Sequence, residues 1–405
     1  MVSNLKDKLR RLSEASPADA AVRTNQSEPT AAAKSQGTPP RPKGEPPVCQ
    51  HFTANWGWDD PVFGPRLSAC KTITNVELTQ ASRAKVGDDF SLDQLLFLDT
   101  ETTGLMGGSG VVAFLVGVGW FHEGGFTVEQ LFMQDYDRET DMHTKLCRQM
   151  ENFRYLVTFN GKSFDAPLLE SRMVMSRIRS PISKLEPVDL LHGARRLWKN
   201  RLESCSLGSL EAAILSLARE GDIPGSQIPE VYFRYLAGEG FSEIERVLEH
   251  NRQDIFSMAL LLERMTRIYR DPSGDADVAL VRIVGVELLR QGDVEGAERC
   301  FQEVLCDKEA IRQLSFIYKR RKDYPRALEL WLAMREKGGF GTLPYVEAAK
   351  YYEHAAKDHA KALEWVDACL LRMDSFSMLS HPEKPALMQR RQRLLQKLQR
   401  KEVFT

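Results

Sequence analysis

Three features of the sequence predict an α/β domain with a mixed sheet flanked by helices, followed by an all-α helical-repeat region. Short apolar runs bounded by turn residues recur between residues 95 and 188, as buried strands do. The first three lie close together as an antiparallel meander, and the later ones alternate with helix-period segments. That combination gives one mixed sheet with helices on its faces. After Asp271-Pro272-Ser273-Gly274 the sequence is helical throughout, and a short pattern recurs in it.

The elements follow in chain order. Residues 1–47 are rich in Ala, Ser, Thr, Pro, Lys and Glu, with almost no apolar periodicity, and are expected to be a disordered arm. Residues 48–91 carry His51-Phe52 and Trp56-Gly57-Trp58 and are expected to be an ordered extension packed on the next domain. The α/β domain spans 92–270. Its strands are expected at 95–99, 111–121 and 126–133, the last two joined at Gly124-Gly125. A helix at 137–151 and a strand at 155–159 follow. Asn160-Gly161-Lys162-Ser163 turns the chain into a helix at 164–177 that Ser163 is expected to cap. A short strand at 185–188 comes next, then helices starting at Asp189, Ser206 and Pro229, and a long helix from Ser242 to Tyr269.

Residues 275–405 contain three related pieces with alanines at 297, 327 and 362. In the first two, an aromatic (Phe301, Trp331) stands four residues after the alanine, which places small and large on one helix face. Spacings of this kind resemble tetratricopeptide-type helical hairpins. The last segment, 385–400, has Leu387, Leu394, Leu395 and Leu398 on one face and Arg390, Arg391, Arg393, Lys397 and Arg400 on the other. It is expected to be a capping helix.

The chain has 405 residues, 42% hydrophobic and 27% charged, with net charge −1. Neutrality leaves any sign of a polyanionic partner to local clusters. The seven cysteines are scattered and contain no C-x-x-C, which excludes a disulfide framework or a zinc knuckle and points to a reducing, cytoplasmic setting. No apolar run reaches membrane-spanning length and no signal-peptide core is expected.

The chemistry is concentrated in acids at element ends. Leu95-Leu96-Phe97-Leu98 runs directly into Asp99-Thr100-Glu101-Thr102-Thr103-Gly104. Asp99 and Glu101 are two apart, so both leave the strand on one face. Two such acids are either a solvated strand end or a site for hard divalent cations. Asp165 opens the helix after the fourth strand, where the helix dipole alone would favour an acid. His250 and Asp254 are i and i+4 on the long helix and face the same way. That pair is either a surface interaction or an inward-facing part of the same site.

Taken together, Asp99-Thr100-Glu101-Thr102-Thr103-Gly104-Leu105, Asn160-Gly161-Lys162-Ser163-Phe164-Asp165 and His250-Asn251-Arg252-Gln253-Asp254 resemble the DEDD superfamily of 3′–5′ exonucleases on the ribonuclease-H-like fold. The YprB-type ribonuclease-H-like domain is the nearest resemblance, over residues 92–268. It implies that Asp99, Glu101, Asp165 and Asp254 bind two Mg²⁺ or Mn²⁺ ions and that His250 holds or deprotonates the attacking water. The third motif departs from the family's two patterns. A His stands four residues before the last Asp, where one class has Tyr, and Glu249 stands where the other class has His. For His250 the alternatives are therefore general base and positioning residue.

A nucleic-acid substrate, single-stranded by preference, is the expected partner. Eight cations against two acids lie between Arg172 and Arg201, an electrostatic footprint of a phosphate backbone. Thr102, Asn160, Lys162, Arg195 and Arg196 are candidate contacts. Trp198 is either a base-stacking platform or a core residue. Two readings result. One is a metal-dependent nuclease with repeats that recruit a partner or grip substrate. The other is a non-cleaving nucleic-acid-binding scaffold built from the same parts.

Overall fold

The computed structural model describes residues 49–104, 110–219, 221–274, 277–375 and 381–403. The expected arm and Leu105 of the first motif lie outside them. A six-stranded sheet has the order β1-β4-β3-β2-β5-β6. Its strands are β1 (Gln50–Gly57), β2 (Leu95–Thr102), β3 (Ala113–His122), β4 (Gly125–Phe132), β5 (Tyr155–Thr158) and β6 (Glu186–Asp189). β2, β3 and β4 form the expected antiparallel meander, and β5 and β6 add to it in parallel. β1 extends the other edge by pairing antiparallel along the whole of β4. Its alternating burial, half-covered on one face only, explains why the sequence announced order there without announcing a strand.

Helices cover both faces. On one side lie α1 (Gly64–Ala69), α2 (Asn75–Ser82), α5 (Leu190–Trp198) and α6 (Leu207–Leu210), the last continuing into a π-turn at Glu211–Leu215. On the other lie α3 (Glu139–Met150), α4 (Asp165–Met175) and α7 (Ile228–Leu236). No side chain caps α4, so the expected role of Ser163 is not met; Phe164 holds the cap position with a non-helical backbone. Alternation along β2 sorts the core. Leu95 and Phe97 belong to the cluster containing α2 and α5, and Leu96 and Leu98 to the one containing α3 and α4.

The long helix α8 (Ser242–Arg270) joins these clusters. Ile244, Val247 and Leu248 lie in the second and Ile255 onward in the first. His250, Asn251 and Asp254 therefore fall where α8 crosses from one side to the other.

Three antiparallel hairpins follow: α9 (Val278–Gln291) with α10 (Val294–Glu303), α11 (Lys308–Arg320) with α12 (Tyr324–Lys337), and α13 (Leu343–His354) with α14 (His359–Ser375). The repeated pieces start the second helix of each hairpin. Asp293, Asp323 and Asp358 accept bonds from the amides of Gly296, Arg326 and Lys361, and Ala297, Ala327 and Ala362 are fully buried. α15 (Lys384–Val403) closes the array. Its basic side is not simply solvated: Arg390, Arg393 and Lys397 all engage the buried Glu353. The buried cluster around Phe97 continues without a break through Val281 and Trp331 to Leu394.

Candidate active site

β2 carries two acids to one end of the sheet. Asp99 and Glu101 continue the face of Leu95 and Phe97, against which α8 packs, and a register shift between Glu101 and Thr102 ends the regular pairing with β3. The close approach of α8 depends on two glycines in β3. A Cβ at Gly117 would fall 2.1 Å from Asn251 Oδ1, and one at Gly119 would fall 2.5 Å from Ile255 Cγ2. Asn251 is thereby pressed into the sheet end, where its amide donates to Asp99 Oδ2 at 2.9 Å. Gln130 donates to the Asn251 oxygen at 2.9 Å and fixes its orientation.

Asp165 arrives from the β5–α4 turn and accepts a bond from Thr100 Oγ1. The turn is set by Asn160, in the left-handed region at φ 69°, and by Asp189 at the end of β6. Asp189 accepts from the Asn160 amide at 3.0 Å and the Lys162 amide at 3.2 Å. Asp254, one turn beyond His250 on α8, bonds the guanidinium of Arg219. His250 Nε2 lies 3.9 Å from Glu101 and 3.7 Å from Asp254, and its Nδ1 lies 2.7 Å from Asp222. Asp99, Glu101, Asp165, His250 and Asp254, five positions singled out from the sequence, thus come together.

Electrostatics follow from this crowding. Burial, then the charges of Asp254, Glu101 and Asp165, push the Asp99 carboxyl well above its usual range, against the bond from Asn251. Burial, then the charges of Asp254 and Asp165, push Glu101 up likewise, with Arg219 opposing. Asp165 is raised by burial against its bond from Thr100, and Asp254 by burial against Arg219 and His250. Acids held this way are short of positive charge, and oxygen-only donors of this kind suit hard divalent cations. Among the described residues no three His, Cys, Asp or Glu side chains converge in ligating geometry. Three of the acids are turned to a protein partner, Asp99 to Asn251, Asp165 to Thr100 and Asp254 to Arg219, and Glu101 faces His250 at 3.9 Å.

Arg219, Asp222, Asn251 and Glu211 were not anticipated. Asn251 was legible in principle, because it lies three residues before Asp254 and so on the same side of α8. Arg219 and Asp222 sit on an irregular segment between α6 and α7, where periodicity carries no signal.

The outlying candidates separate. Trp198 is 2% exposed and packs in the core, so its stacking role is withdrawn. The apolar face of α5 is covered by α2, α8 and α9. Arg196 bonds the Ala81 carbonyl and lies 3.7 Å from Glu287, which makes it a tie between α5 and its neighbours rather than a surface contact. Arg195 and Lys162 are exposed. Thr102 donates to the Gly104 carbonyl at 2.7 Å. The basic stretch is partly neutralised, since Arg172 pairs with Glu139 and Arg201 with Asp277. Beside Asp165, Phe164 is 55% exposed, an aromatic the sequence reading passed over.

A protein-family model described as RNase_H superfamily matches residues 96–266, a span that contains Asp99, Glu101, Asp165 and Asp254. The Bacillus subtilis (strain 168) protein YprB, described as uncharacterized, is 31% identical over 290 residues, covering 69% of this chain and 70% of YprB. The chain thus belongs to one family with YprB, and its residues 96–266 form a domain of the RNase H superfamily.

Proposed function

We propose that this protein is a metal-dependent nuclease of the DEDD type, a 3′–5′ exonuclease that hydrolyses phosphodiester bonds of single-stranded nucleic acid. The observation that carries this reading is the burial together of four acids whose mutual repulsion Asn251, Thr100 and a single guanidinium only partly relieve. Asp99, Glu101, Asp165 and Asp254 are assigned to hold two Mg²⁺ or Mn²⁺ ions. Such ions supply an acidified water for attack on phosphorus and charge to neutralise the leaving 3′-oxygen. His250 is assigned as the base. Asp222, at 2.7 Å, is the nearest acceptor for an Nδ1 proton, and that tautomer leaves the Nε2 lone pair facing Glu101 and Asp254 to take the proton of the water. Lys162 and the edge of Phe164 give the strand a cation and a stacking surface next to Asp165; Thr102 and Asn160 line the same end of the sheet. The helical hairpins are assigned a tetratricopeptide-like role in holding a protein partner.

Seven free thiols fit a reducing, cytoplasmic setting. Among the described residues no helix is long and apolar enough to cross a membrane.

The test is incubation of the full chain with end-labelled single-stranded DNA and RNA, with Mg²⁺, Mn²⁺ or chelator, beside Asp99→Ala. Stepwise loss of 3′ nucleotides, dependent on metal and absent from the variant, supports the exonuclease and identifies the sugar. One observation favours the non-cleaving scaffold: Arg219 already answers the charge of Asp254. Tight binding of both strands with no metal-dependent product would favour that second reading.

A further inference from the structure

Arg219 is the one arginine bonded to any of the four acids among the described residues. Its side chain is 13% exposed and its guanidinium spans three acids: Glu211, itself 1% exposed, through Nε and Nη2; Asp254 through Nη2; and Asp222 through Nη1 at 3.3 Å. Nη1 also lies 3.2 Å from His250 Nδ1. The side chain therefore stands on the same carboxylate that a divalent cation would need.

The backbone that carries it is held on both sides. Arg66 Nη2 donates to the Leu215 carbonyl at 2.7 Å, and the Leu217 amide to the Glu211 carbonyl at 3.0 Å. Further on, Arg246 of α8 donates to the carbonyls of Gly221 and Asp222 at 3.2 and 3.4 Å, and Ile223 is buried. The segment need not move for the guanidinium to leave Asp254. Glu211, bonded by two of its nitrogens, can retain it after the contact with Asp254 is broken.

We propose that Arg219 is a resident counter-cation of this site, which a divalent ion must displace from Asp254 in order to bind, with Glu211 holding the displaced guanidinium. The proposal rests on reading Asp99, Glu101, Asp165 and Asp254 as cation ligands. It makes Arg219 a determinant of metal affinity: ions load only where their gain exceeds the loss of the Arg219–Asp254 pair. Without an ion, Arg219 offsets part of the repulsion among the acids.

The experiment is calorimetric titration of the full chain with MnCl₂ alone, without nucleic acid, alongside thermal unfolding in chelator. Wild type is compared with Arg219→Gln, Glu211→Gln/Arg219→Gln and Arg267→Gln. If the paired state prevails about ten to one, its removal lowers the apparent Mn²⁺ dissociation constant about tenfold. Arg219→Gln should also melt lower than wild type in chelator and gain more from Mn²⁺. The double variant removes both members of the buried pair, so it keeps the test available if the single variant fails to fold. Arg267→Gln removes a cation from α8 that pairs with Glu263 and touches none of the four acids, and should bind Mn²⁺ as wild type does.

Unchanged or weaker Mn²⁺ binding by the folded Arg219 variants, with normal binding by wild type, would overturn the role of Arg219 alone. An equal gain in Arg267→Gln would overturn it too, by tracing the effect to net charge. Absence of Mn²⁺ binding by wild type would overturn the assignment of the four acids as ligands, and this proposal with it.

Discussion

Asn251 is clamped between Asp99, to which it donates at 2.9 Å, and Gly117, whose missing Cβ leaves 2.1 Å of room before the Asn251 oxygen. One amide thus couples the position of α8 to the orientation of the first acid. Gly117→Ala must push either the strand or Asn251 aside, at a cost of about 1–3 kcal/mol. Removal of the amide relieves the clash, so Gly117→Ala/Asn251→Ala should lose less stability than the sum of its single variants. Urea midpoints of the four proteins measure this, and strict additivity would refute the clamp.

The acids predict an unusual pH dependence in chelator. Asp99, Glu101, Asp165 and Asp254 have folded values raised above the ordinary 3.8 for Asp and 4.5 for Glu. Through that window the folded chain binds more protons than the unfolded one, so stability is fullest below the ordinary values and falls as pH rises through the raised ones. Asp99→Asn removes one of the repelling charges. It should flatten the decline and stabilise the chelated protein at pH 7 while abolishing the proposed cleavage. Thermal unfolding in chelator across pH 4 to 8 gives the slope for both proteins; a slope unchanged by Asp99→Asn would contradict the repulsion.

Much of this arrangement was legible in the sequence, for physical reasons that also mark where legibility stopped. The run Leu95–Leu98 ending in Asp99 and Glu101 declares a buried strand, and its period of two alone places both acids on one face. The period of α8 likewise puts His250, Asn251 and Asp254 on one side. Neither period reaches across the irregular stretch that carries Arg219 and Asp222, so the counter-charges of the site were invisible. Trp198 failed differently. Its helix is visibly amphipathic, but whether an aromatic on such a face is covered depends on α2, α8 and α9, far away in sequence. Arg390, Arg393 and Lys397 read only as the basic face of a capping helix, because their partner, Glu353, belongs to another helix.

Substrate contacts should follow exposure rather than sequence charge. Phe164 is 55% exposed next to Asp165, whereas Trp198 is 2% exposed. Phe164→Ala should weaken binding of a labelled single strand by about 1–3 kcal/mol and leave the urea midpoint near that of wild type. Lys162→Gln should reduce the salt dependence of binding by about one unit of slope. Trp198→Ala should instead lower stability by about 3–5 kcal/mol. Fluorescence anisotropy at several salt concentrations separates the three. Loss of binding in a fully folded Trp198→Ala, with Phe164→Ala unaffected, would restore the stacking role to Trp198.

The last helix is held by a charge cluster that can be tested independently of the site. Glu353 is 1% exposed and accepts from Arg390 at 2.7 Å, Arg393 at 2.9 Å and Lys397 at 2.8 Å. Burial pushes its carboxyl up, but the bonds from Arg393 and Lys397 outweigh burial and bring it down to about 2. A lowered carboxylate contributes stability above its ordinary 4.5 and loses it as pH falls toward 2. Arg393 and Lys397 are themselves more than one-third exposed, so solvent screens part of the attraction and the cost of Glu353→Ala should be about 3 kcal/mol, the low end for a broken buried pair. Because α15 packs chiefly on α14, the loss should appear first as faster amide exchange along α15, with β2 and α8 still protected. Unchanged exchange in α15 would mean that Leu387 and Leu394 hold the helix without the cluster.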